Sequence, residues 1–172
     1  MRKNKSVRNM AFAAVIAAVY AVLTVALPIP QYGAVQVRFA EALTVLPFFF
    51  PAATPGLFVG CVIANMFSPF PLDILFGSLA TLLACMWTQR LRSRWLAPLP
   101  PVICNAVIVG FEIAWASTGF TAAFWPAFAL NALTVGFGEF LACYGLGAIL
   151  LSALERRPFF REMMSEKGRT EE

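Results

Sequence analysis

The sequence predicts an all-α integral membrane protein, a bundle of six transmembrane helices with both termini in the cytoplasm. Three observations carry this expectation. Of the 172 residues, 60% are hydrophobic and only 13% charged, whereas a soluble domain carries about a quarter charged residues. The apolar residues gather in runs punctuated by 12 Pro and 11 Gly, both commoner in membrane helices than in soluble ones. Twelve of the 13 basic residues fall in three clusters: Arg2, Lys3, Lys5 and Arg8; Arg90, Arg92 and Arg94; and Arg156, Arg157, Arg161, Lys167 and Arg169. Each cluster abuts an apolar run, which marks a cytoplasmic flank and argues against a nucleic-acid surface.

The first span, 10–27, is an unbroken apolar run behind a basic start. It is longer than the roughly 7 to 15 residues of a signal-peptide core and so reads as a retained helix. It ends at Pro28-Ile29-Pro30-Gln31-Tyr32-Gly33, a turn-rich segment placed outside the cell. Two shorter apolar stretches follow, 38–50 and 56–67, closed by Pro51 and Pro55 and by Ser68-Pro69-Phe70-Pro71. Neither reaches the roughly 20 residues of a full span, so two short helices and a re-entrant pair both stay open. Either returns the chain to the outside. Span four, 72–87, then runs inward to the Arg90, Arg92 and Arg94 cluster, span five, 101–116, runs outward, and span six, 122–154, returns to the basic tail. The chain thus divides into a basic amino terminus (1–9), a membrane domain (10–154) and a charged tail (155–172). Trp87 and Trp95 flank the inner loop, and Trp115 and Trp125 the outer one, as interfacial aromatic belts do.

Several chemistries are excluded. The chain has no histidine and no GxxxxGK[ST] stretch, which removes histidine triads, histidine metal sites and a nucleotide phosphate cradle. Cys61, Cys85, Cys104 and Cys143 stand singly in apolar stretches and read as small buried residues, not disulfides or ligands. No catalytic and no metal-ligating residue is assigned.

The informative residues are polar groups at membrane depth, where a charge costs several kcal/mol unless paired or facing water. They are Arg38, Glu41, Asp73, Glu112 and Glu139, with Gln36, Asn65, Asn105 and Asn131. Arg38 and Glu41, three apart, share a helix face and can form an ion pair at the outer rim. Asn105 and Glu112, seven apart, point the same way, whereas Asn131 and Glu139, eight apart, diverge by about 80°. Gln36, Arg38, Glu41, Asn65 and Asp73 all fall near outer helix ends, so they are expected to converge on a cavity open to the exterior. Such a cavity suits a small ligand rich in hydrogen-bond donors, because ionised carboxylates only accept. Two plainer roles remain open: amides that bridge helices, and Asp73 as the N-cap of span four. Ala13, Ala17 and Ala21 repeat every four residues beside Ala14 and Ala18, a smooth stripe that serves either internal packing or an outward docking surface. Gly56, Gly60 and Ala64 repeat in the same way and read as packing within the bundle.

Gln36-Val37-Arg38-Phe39-Ala40-Glu41-Ala42-Leu43, the stretch 56–65 and Asp73-Ile74-Leu75-Phe76-Gly77-Ser78-Leu79-Ala80-Thr81-Leu82 resemble the QueT family, the queuosine-precursor S components of energy-coupling factor (ECF) transporters. Gly136-Phe137-Gly138-Glu139 and Tyr144-Gly145-Leu146-Gly147 are similar too, so the likeness covers nearly the whole chain between the charged tails. It implies a six-helix substrate-binding S component in a prokaryotic plasma membrane, not an enzyme. The implied partners are a transmembrane coupling subunit and two cytoplasmic ATPases, which use the ATP while this chain holds no cofactor. It further implies that the S component topples in the membrane and meets the coupling subunit through Ala13, Ala14, Ala17, Ala18 and Ala21.

The implied ligand is a 7-deazaguanine, whose ring N–H and exocyclic amine one carboxylate can accept together. Glu112 or Glu139 suits that contact, and Asp73 or Glu41 suits a cationic aminomethyl group. Tyr32 or Trp115 would stack on the ring, and residues 28–35 would form a lid. The expected binding set is therefore Gln36, Arg38, Glu41, Asn65, Asp73, Glu112, Asn131 and Glu139. An S component for another vitamin, a self-sufficient carrier with Glu112 and Glu139 as relays, and a membrane enzyme acting through Glu, Asp or Cys are the alternatives.

Overall fold

The computed structural model describes residues 2–27, 31–32 and 36–156, with side chains from Ser6 onward. The tail 157–172, most of the expected lid, and the side chains of Arg2, Lys3 and Lys5 therefore lie outside the described residues. Six rods traverse the bundle. The first is α1 (Arg2–Ala26), the second a 3-10 segment (Phe39–Phe48) and the third α2 (Ala53–Asn65). A 3-10 turn (Pro71–Ile74) leads into α3 (Phe76–Thr88), followed by α4 (Leu99–Thr118). The last rod is continuous from α5 (Phe124–Phe140) through a π-helical segment (Leu141–Gly147) to α6 (Ala148–Glu155). No strand occurs among the described residues.

Among the described residues, four stretches are long and apolar enough to cross a membrane: Ser6–Ala26, Pro71–Thr88, Leu99–Thr118 and Phe124–Glu155. The 3-10 segment and α2 are each about 20 Å long from their rise per residue, short of a hydrocarbon core about 30 Å thick. Side-chain contacts fix the directions of the rods. Phe12 packs edge-on against Phe50 with ring centroids 5.7 Å apart, and Tyr20 bonds Glu41, so the 3-10 segment runs antiparallel to α1. Gly56 abuts Ala13 and Gly60 abuts Ala17, so α2 runs parallel to α1. Thr54 meets Gln89 at 3.5 Å and Arg94 meets Glu155 at 3.2 Å. The start of α2, the loop after α3 and the end of α6 therefore share one end of the bundle with Arg90, Arg92 and Arg94. Trp87, Trp95, Trp115 and Trp125 are all exposed.

Small residues make the close approaches. A Cβ at Gly56 would overlap the Ala13 carbonyl, and one at Gly60 would stand 2.7 Å from the Ala17 oxygen. Residues on a helix advance by about 100°, so the 13, 17, 21 row and the 14, 18 row face different ways, and the α2 glycines take the first. Ala17 is buried, Ala13 and Ala21 are half-buried, and Ala14 and Ala18 are exposed. An outward surface made of all five alanines is thus corrected: Ala13 and Ala17 belong to internal packing. The core beneath joins Ile16, Tyr20, Leu46, Phe50, Leu57 and Cys61. All four cysteines are free thiols.

Gly56→Ala or Gly60→Ala is expected to destabilise the detergent-solubilised protein by about 1 to 3 kcal/mol, as overpacking does. Gly145→Ala, where a Cβ meets nothing within 4 Å, should leave the thermal midpoint unchanged or slightly raised.

Candidate functional site

Among the described residues, the buried charged side chains are Arg38, Glu41, Asp73, Glu112 and Glu139, and contacts join them into one cluster. Backbone geometry explains their convergence. Residues 36–38 lie outside any helix, Arg38 being extended at φ −91° and ψ 105°, and the chain passes beside α5 at Gly138, where a Cβ would overlap the Gln36 carbonyl. Glycine at 138 therefore lets Gln36 and Glu139 approach. The 3-10 segment then repeats every three residues, which stacks Arg38, Glu41 and Thr44 on one face.

Glu41 is completely buried and accepts the Tyr20 hydroxyl. Its backbone carbonyl receives the Thr44 hydroxyl at 2.6 Å and the Cys143 thiol at 3.4 Å. Asn105 on α4 faces both Glu41 and Glu139, although its Nδ2 closes no hydrogen bond. Nearer the opposite edge, the Asp73 carboxylate accepts the Ser68 hydroxyl and interacts with Glu112. Asn65 donates to the Asp73 carbonyl at 2.9 Å and lies against Gly77, where a Cβ would come within 2.9 Å of its Nδ2. Asn105 and Glu112 are separated by roughly 10 Å along α4, so the cluster has two acidic ends.

Arg38 stands between them. Its Nε donates to the Gln31 carbonyl at 2.6 Å, its guanidinium lies 5.0 Å above the Tyr32 ring, and its Nη2 lies 3.8 Å from Asp73 Oδ2. The expected Arg38 to Glu41 ion pair is thus replaced: the guanidinium reaches Asp73, and Glu41 takes Tyr20. Asp73 does not cap α3, whose N-cap is Leu75; the 3-10 turn before the helix directs its carboxylate to Ser68 and Arg38. Tyr32 donates to the Ala64 carbonyl at 2.7 Å, and partial burial pushes its phenol up, which keeps it a donor.

The expected open cavity is closed. Arg38, Glu41, Asn65, Asp73 and Glu112 are almost wholly shielded, and two surface cavities of about 700 and 30 Å³ lie at the other end, around Trp95 and Ser152. Closure nevertheless leaves buried polar atoms without partners among the described residues: Gln31 Oε1 and Nε2, Gln36 Oε1, Arg38 Nη2, Glu41 Oε2, Asn65 Oδ1, Asn105 Nδ2 and Glu112 Oε2. Acceptors predominate. Among the described residues no acidic or thiol groups gather closely enough to hold a metal ion.

Of the remaining candidates, Asn131 is buried on α5, but no contact among the described residues joins it to the cluster. Trp115 packs against Phe120 at 6.4 Å, within an aromatic group that includes Phe111 and Phe124. Tyr20 and Gln31 are site residues that the sequence did not single out. A lone hydroxyl-bearing ring in the apolar run 10–27 was the available signal for Tyr20; a glutamine between prolines and a tyrosine gave none for Gln31.

Tyr20→Phe strips Glu41 of its donor and should destabilise the protein by about 1 to 3 kcal/mol, the cost of an unsatisfied buried acceptor. Tyr144→Phe, at a half-buried ring, is the control in the same thermal unfolding experiment and should change stability by less than about 0.5 kcal/mol.

Comparison with known proteins agrees with this architecture. The family model described as QueT transporter matches residues 10–156. The "Queuosine precursor transporter QueT" of Lactococcus lactis subsp. cremoris (strain MG1363) is 28% identical over 171 residues, covering 91% of this chain and 97% of that protein. No solved structure matches. The match takes in most or all of each membrane-length stretch among the described residues, so the chain is a multi-pass membrane transporter and not an enzyme: it belongs to the QueT transporter family.

Proposed function

We propose that this chain captures a queuosine precursor of the 7-deazaguanine type outside the cell and delivers it inward as the S component of an ECF importer. One observation carries the ligand class. Among the described residues, four carboxyl groups share a closed interior with a single guanidinium, and five of the eight partnerless buried atoms are acceptors. A heterocycle that donates from a ring N–H and an exocyclic amine, and accepts at a carbonyl, answers both kinds of atom. Glu112 and Asp73 take one edge of the ligand, and Glu41, Glu139 and Asn105 take the other. Gln36 and Asn65 complete the polar lining, while Tyr32 offers its ring for stacking. The Lactococcus relative is a queuosine precursor transporter, which supports this choice over another vitamin.

The partners are a transmembrane coupling subunit and two cytoplasmic ATPases. They use the ATP, and this chain holds no cofactor. Basic clusters beside the inner loop and at both ends of the membrane domain favour cytoplasmic termini. The exposed row of Ala14 and Ala18, flanked by Val15 and Val22, is the surface of α1 that a coupling subunit would contact.

The test is ligand-dependent thermal stabilisation of the purified chain. With 7-aminomethyl-7-deazaguanine at about a hundred times its Kd, stabilisation should reach about 2.7 kcal/mol, whereas guanine and unrelated vitamins should give less. Glu112→Gln should weaken binding by about ten- to a hundredfold, the worth of a hydrogen bond to a charged group. Stabilisation by an unrelated vitamin and by no deazaguanine would overturn the ligand class. Uptake into liposomes by this chain alone would overturn the need for ATPase partners.

A further inference from the structure

Arg38 is held in an unusual way for a buried cation. Its guanidinium carbon lies over the Tyr32 ring, 5.0 Å from the centroid, between the two acidic ends of the cluster, and interacts electrostatically with both Glu41 and Asp73. Yet it makes no bidentate bond with either carboxylate. Its Nη2 stays 3.8 Å from Asp73 and has no hydrogen-bond partner among the described residues. The one firm contact, from Nε, goes to the Gln31 carbonyl. Its backbone is extended, just ahead of the 3-10 segment, so the side chain can swing without unwinding a helix.

A planar, donor-bearing cation stacked on a ring and edged by carboxylates has the same recognition chemistry as the aminopyrimidine edge of a guanine-type base. We infer that Arg38 is an internal stand-in for the ligand: in the closed site its guanidinium fills the place of the heterocycle's donor edge, and the ligand binds by displacing it. The inference rests on the proposed reading of this cluster as the binding site. It explains why the closed state keeps a cation that no carboxylate grips fully.

Exchange also confers selectivity. A compound without paired N–H donors cannot replace the guanidinium, and it would leave Asp73 or Glu41 buried without compensation. The return of Arg38 would compete with bound ligand and so favour its release.

The experiment compares the full-length wild type with Arg38→Ala and Arg38→Lys in detergent. Millimolar methylguanidinium should raise the thermal midpoint of Arg38→Ala, should leave wild type unmoved, and should compete with 7-aminomethyl-7-deazaguanine on the variant. Affinity for the deazaguanine should tighten by about tenfold in Arg38→Ala if the displaced state makes up about a tenth of the wild-type population. Arg38→Lys, with a charge but no planar fork, should also bind more tightly than wild type. Recovery of a poorly folding Arg38→Ala by methylguanidinium supports the inference. It is overturned if methylguanidinium neither stabilises nor recovers Arg38→Ala, or if both variants bind the deazaguanine more weakly than wild type. Failure of wild type to bind any deazaguanine would remove the proposed ligand, while the methylguanidinium result would still decide the role of Arg38.

Discussion

Among the described residues, four carboxyl groups and one guanidinium share the interior of a largely apolar bundle, and that imbalance constrains the rest of the structure. At membrane depth an unpaired charge costs several kcal/mol, and removing one partner of a buried pair is more costly than never having made it. Each acid is therefore tied to a different element. Glu41 is held by Tyr20 on α1, Asp73 by Ser68 and Arg38, and Glu112 and Glu139 project from α4 and α5. The fold can be understood as the set of helix approaches that brings those partners within reach.

The 3-10 segment shows how local geometry serves that end. Ten residues is long for this helix type, whose runs rarely exceed three or four residues. Its three-residue repeat aligns Arg38, Glu41 and Thr44, whereas α-helical spacing would turn each about 60° from the last. Pro47 inside the segment removes an amide hydrogen that a regular α-helix would use. The glycines at 56, 60, 77 and 138 do the complementary work, each letting a neighbouring backbone or amide come closer than a methyl group would allow.

Much of this was legible in the residues. Rod boundaries followed from apolar runs and from prolines, and the polar set was conspicuous because charge is scarce at depth. Asn105 and Glu112 do share the inner face of α4, and both are buried. Partner choice was less legible. Spacing allowed Arg38 to meet Glu41, but the identity of the donor to Glu41 depended on Tyr20, 21 residues away, and on how closely α1 approaches. The alanine stripe was visible, yet which row faced inward was decided by Gly56 and Gly60 on another helix. Closure of the site could not be read from composition, because it depends on Gln31 and Tyr32 meeting Arg38.

The parallel pairing of α1 with α2 makes one further point. Gly56 and Gly60 seat on the backbone of α1, so the two rods are keyed like a tooth in a rack and cannot slide independently. Tyr20 rides on one and Asn65 on the other. A displacement of α1 together with α2 would therefore bear on both grips at once, on Glu41 and beside Asp73.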